Sequence, residues 1–77
     1  MNRETTVQTS YLARLQFEAD GPTVEGEWAL RKNAHDRYTE WGELYSKDPK
    51  VVVCLIERSG SRERVLRTWT PQGDTGA

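Results

Sequence analysis

Val51-Val52-Val53-Cys54-Leu55-Ile56 is the longest apolar run in the chain, and four of its six residues are β-branched. Asp48-Pro49 precedes it and Ser59-Gly60 follows it. A run this short between turn residues reads as a strand rather than a helix. Because it has no polar alternate, it reads as a strand buried on both faces, in the middle of a sheet. The rest of the fold is built around it.

Downstream of the Ser59-Gly60 turn, Arg62 to Thr70 carries Val65, Leu66 and Trp69 among arginines and threonines, which predicts a hairpin partner for the central strand. Upstream the period is helical. Ala34, Tyr38, Trp41 and Tyr45 fall at i, i+4, i+7 and i+11, predicting one amphipathic helix over roughly Ala34 to Tyr45, with Ala29 to Lys32 a stretch that could extend it backward through Leu30. Asn33 is the expected N-cap, and Asp48-Pro49 stops the segment because the residue before proline is pushed out of the helical region. Further upstream, Tyr11, Ala13, Leu15 and Phe17 alternate with Leu12, Arg14, Gln16 and Glu18. Beyond Asp20-Gly21-Pro22, Val24, Gly26 and Trp28 alternate with Glu25 and Glu27, so these two runs form a first hairpin.

The predicted fold class is therefore α+β: a two-layer ββαββ domain with one helix packed on one face of a four-stranded antiparallel sheet of order 2-1-3-4. The first and third strands are central. The charged second and fourth lie at the edges, where charge opposes sheet-to-sheet aggregation. With 77 residues the chain holds one core, assigned to residues 11–70. Residues 1–10 and 71–77 are polar or rich in Pro and Gly, and are expected to be mobile N-terminal and C-terminal segments.

Eleven basic against twelve acidic residues give a net charge of −1, too little bulk field to attract a polyanion. The single cysteine cannot form an internal bridge, and Met1 to Ser10 lacks the apolar stretch of a signal peptide, so a cytoplasmic location is expected. No run approaches the roughly 20 apolar residues of a membrane helix. Cys54 and His35 are the only residues of their kinds, and nothing in their spacing makes a nucleophile and its base. Glu40 with Glu43, and Glu25 with Glu27, read as solvated carboxylates rather than an acid–base pair. Metal-ligand spacings and glycine-rich phosphate loops are lacking, so neither a cofactor nor a small-molecule substrate is expected, and the chain does not read as an enzyme.

Two surfaces remain. One helix covers one sheet face, so the third strand must turn an apolar set outward, either Val52, Cys54 and Ile56 or Val51, Val53 and Leu55. The expected function is a non-catalytic accessory module that binds a protein, or a second copy of itself, through that open face or an edge strand. The expected contact residues are Leu12, Arg14, Val52, Ile56, Arg64, Arg67 and Trp69. The alternative is a nucleic-acid-binding accessory factor that uses Arg58, Arg62, Arg64, Arg67 and Trp69 of the second hairpin, with Glu57 and Glu63 diluting the patch.

Overall fold

The computed structural model describes residues 8–76. Strands β1 (Thr9–Gln16) and β2 (Thr23–Trp28) precede helix α1 (Arg31–Leu44), which is followed by β3 (Val52–Ser59), β4 (Arg62–Thr70) and β5 (Gly73–Gly76). They build an antiparallel sheet of order β2-β1-β3-β4-β5 with α1 across one face. The expected 2-1-3-4 arrangement is present, and a fifth strand extends it.

That fifth strand takes Gly73–Gly76 into the sheet, beyond the 11–70 bounds expected for the core. Thr70 pairs with Gly73 across the two-residue turn Pro71-Gln72, and the chain returns with Thr68 opposite Thr75. Proline cannot donate to a ladder and so suits such a turn, while Gly73 adopts φ 152°, which side-chain-bearing residues rarely take. As a result Arg67–Thr70 of β4 is not an edge, and the edge-charge reading of Arg67 falls; among the described residues Arg62–Leu66 has no partner beyond β3, so Arg64 stays at the edge. At the other end, Thr9 and Ser10 already belong to β1; the remainder of the expected N-terminal segment, up to residue 7, lies outside the described residues.

Between helix and sheet sit Ala13, Leu15, Val51, Val53 and Leu55 beneath Ala34, Tyr38 and Trp41. The helix face matches the period read from the sequence, but the N-cap does not. Helix α1 begins at Arg31, Leu30 is its N-cap, and no side chain caps it, so Asn33 lies inside the first turn. Its uncapped amides are offset by tertiary packing, which supplies most of a short helix's stability. Gly42 also has a packing reason: a Cβ there would stand 3.1 Å from the Trp69 ring, so glycine lets the indole lie against the helix. Gly26 gives similar room to the ring of Trp28, over which the Arg37 guanidinium lies 5.9 Å from the ring centre; the same guanidinium is 5.7 Å from that of Trp41.

A bulge in β4 decides which way its side chains point. Leu55 pairs with Arg67 but Ile56 pairs with Val65, so Leu66 is the extra residue and packs with the helix-side core. The parity of β4 therefore flips at this point. Trp69, Arg67 and Arg64 all share the helix side of the sheet, and Glu63, Val65 and Thr68 share the other.

Trp41 is 8% exposed at the centre of the helix–sheet contact. Trp41→Ala is expected to lower unfolding free energy by about 3–5 kcal/mol in urea titration, as a large-to-small core change; a loss below about 1 kcal/mol would contradict the packing described.

Candidate functional site

The outer face of the sheet, opposite α1, carries Leu12, Arg14, Val52, Cys54 and Ile56, which settles the outward set of β3. It is not an open apolar stripe. Leu12 and Ile56 are each 1% exposed. Arginines strap across them. Arg14 reaches from β1 over β3 to Glu63 on β4 (3.2 Å) and also binds Glu25 on β2. Arg58 bonds Glu63 at 2.6 Å and extends over β1 to Glu27 on β2 at 3.4 Å. The register sets Leu12 and Ile56 side by side directly beneath these crossings. Long arginine stems cover apolar surface while their charged ends stay hydrated and paired. Glu63 is held below the usual carboxylate range by its hydrogen bonds from Arg58 and then Arg14. Of the apolar residues on this face, Val65, at the end of the same row, remains 43% exposed.

The expected contact residues thus divide. Leu12, Arg14, Val52 and Ile56 lie on the outer face, whereas Arg64, Arg67 and Trp69 lie on the helix side. The sheet separates the two groups, and the expected exposure of Leu12 and Ile56 is not found. Three of the four arginines of the second hairpin are also engaged, Arg64 with Glu57 at 3.1 Å, Arg67 with Asp74 at 3.3 Å, and Arg58 as described, while Arg62 is in none of the ion pairs among the described residues. Cys54 is half-buried on the outer face, while His35 stands on α1 with its ring 5.9 Å from that of Tyr38, so the sheet separates this pair as well.

On the helix side, α1 and the β4–β5 hairpin enclose a cleft of about 440 Å³. Trp69 forms one wall, Tyr38 and Gly42 the helix wall, and Glu43 and Asp74 contribute carboxylates at its rim. The Tyr38 hydroxyl donates to Asp74 Oδ1 at 2.6 Å, and Arg67 donates to the same oxygen at 3.3 Å. This latch ties β5 to α1. Burial, followed by the hydrogen bond to Asp74, pushes the Tyr38 hydroxyl well above its ordinary value, and that same bond, then Arg67, holds Asp74 below the carboxylate range. Asp74 is the residue sequence reasoning missed. The signal available was Thr70-Pro71-Gln72-Gly73, a turn between Trp69 and a further polar pair.

At the opposite margin, β2 has a partner only in β1 among the described residues. Its helix-side residues are Val24, Gly26 and Trp28, with Val24 50% exposed. Val24 pairs with Leu15, next on that strand face is Phe17, and the Phe17 ring meets Tyr45 edge-on at 5.1 Å. Phe17 and Leu44 are themselves exposed, so three of the large exposed apolar side chains belong to β2, the end of β1 and the end of α1.

The latch carries a pH signature. Asp74, lowered on folding, contributes stability above the ordinary carboxylate range and loses it as pH falls through its lowered value; Tyr38, raised on folding, contributes until pH rises through its raised value. Tyr38→Phe is expected to cost about 1 kcal/mol at neutral pH and markedly less once the pH lies below the lowered value of Asp74, measured by urea midpoints. An equal cost at both would show that the ionised carboxylate is not its partner.

Among the described residues no helix is long and apolar enough to cross a membrane. No protein-family profile matches this chain, and neither a curated protein nor a solved structure matches it, so its function is argued from the geometry alone.

Proposed function

We propose that this protein is a non-catalytic binding module that takes an added strand on its β2 edge, and that a second copy of the chain is the first such partner. The observation that carries this reading is β2 itself: six residues long, without a partner on one side among the described residues, with Val24 half-exposed on the helix side. Such an edge offers main-chain hydrogen bonds for affinity and side-chain pockets for selection.

The register of β2 suits self-pairing. An antiparallel twofold centred on Gly26 places Val24 opposite Trp28 of the second copy, twice, with Gly26 facing its own equivalent. Aromatic and β-branched cross-strand pairs contribute about 0.2–1 kcal/mol each. On the outer face the same register sets Glu25 opposite Glu27, but each carboxylate is bound by an arginine of its own chain, Glu25 by Arg14 and Glu27 by Arg58. The net contact is weak, because association also loses rigid-body entropy.

The other expected routes have less support. Sheet-on-sheet stacking through Leu12 and Ile56 loses its motive with both beneath arginine straps. A contact between acidic β2 and arginine-rich β4 loses complementarity, since the bulge puts Arg64 and Arg67 on the face opposite to Glu25 and Glu27. Nucleic-acid binding by the second hairpin would have to compete with the carboxylates that Arg58, Arg64 and Arg67 already hold.

Sedimentation over a concentration series tests the proposal. A monomer–dimer equilibrium is expected that added salt does not weaken, and Val24→Lys should raise its dissociation constant at least about tenfold, or 1.4 kcal/mol. A strict monomer, or a dimer indifferent to Val24→Lys, would overturn it.

A further inference from the structure

We propose that the cleft between α1 and the β4–β5 hairpin is a binding site for a basic side chain, a lysine presented by an extended peptide. This site lies on the other side of the helix from β2 and does not rest on the strand-addition reading.

The chemistry of the walls selects the ligand. Trp69 and Tyr38 bring two aromatic rings to the cleft, and Trp69 is half-exposed there although one part of its indole lies against Gly42. An alkyl stem packs on such a ring, and an ammonium is attracted by its face. Glu43 and Asp74 place two carboxylates at the rim, with the hydroxyls of Thr39 and Ser46 beside them as acceptors. None of the ion pairs among the described residues involves Glu43. Asp74 receives Tyr38 and Arg67 on Oδ1, which fixes the carboxylate in place and leaves Oδ2 outside both bonds. No lysine or arginine is among the lining residues. An anion would meet the Glu43 carboxylate, and an uncharged apolar group would leave it unanswered, whereas an ammonium on an apolar stem satisfies Glu43, the Asp74 oxygen not taken by Tyr38 and Arg67, and the indole together.

Gly42 is where the two walls of the site meet. Any side chain at this position would press on Trp69 and displace the indole that forms one wall. Its cost of roughly 1 kcal/mol in a helix interior therefore maintains the indole contact.

The test is titration of the ¹⁵N-labelled protein with acetyl-Gly-Lys-Gly-amide, following the Trp69 indole N–H signal. A saturable shift is expected. The norleucine isostere, which keeps the stem and removes the charge, should bind at least about tenfold more weakly, and Glu43→Gln should weaken the lysine peptide about fivefold without changing the unfolding midpoint. Equal shifts with lysine and norleucine, no shift with either, binding unaffected by Glu43→Gln, or a response to free putrescine but none to the lysine peptide would each overturn the proposal.

Discussion

β3 is apolar on both faces, and the structure depends on covering both of them. The helix covers one through Ala34, Tyr38 and Trp41 over Val53 and Leu55. Among the described residues the other has no second layer of secondary structure; Leu12 and Ile56 are covered instead by Arg14 and Arg58, drawn across the sheet by Glu25, Glu27 and Glu63. Exposed ion pairs contribute little by themselves. Here their effect is geometric, since pairing fixes long side chains over aliphatic ones that water would otherwise reach. A small chain thereby manages with one helix where a second layer would be expected.

The same economy shapes the two margins of the sheet. At one, the short β5 is held by a single carboxylate that receives a tyrosine and an arginine, and its attachment creates the cleft beside Trp69. At the other, β2 has no second partner among the described residues, and Val24 is half-exposed. Charge is spent on the outer face and on the latch, so what each margin offers a partner differs: backbone and apolar side chains at β2, carboxylates and an aromatic wall at β4–β5.

Much of this was legible in the sequence. The run Val51 to Ile56 fixed the central strand, alternation at Tyr11 to Phe17 fixed the face of β1 toward the helix, and the spacing of Ala34, Tyr38, Trp41 and Tyr45 fixed the buried face of α1. Three features were not. The β4 bulge adds one residue where the local pattern, Val65-Leu66-Arg67, fits either face, and only pairing with β3 decides. Strand β5 is Gly-Asp-Thr-Gly, with neither β-branched density nor apolar alternation, and it is held by the partner strand and by Asp74 rather than by propensity. The covering of Leu12 and Ile56 depends on arginines and glutamates distributed over four strands, and a one-dimensional pattern records their charges without showing that they converge.

The most direct test of this account compares Arg14→Met with Arg14→Ala by urea unfolding, because the two substitutions remove the same charge and differ in the stem left over Ile56. If the arginine acts chiefly as cover, the methionine variant should stay within about 0.5 kcal/mol of the parent while the alanine variant loses about 1–2 kcal/mol. Equal losses in both would assign the effect to charge rather than cover, and no loss in either would mean that the outer face of β3 is protected by something other than these side chains.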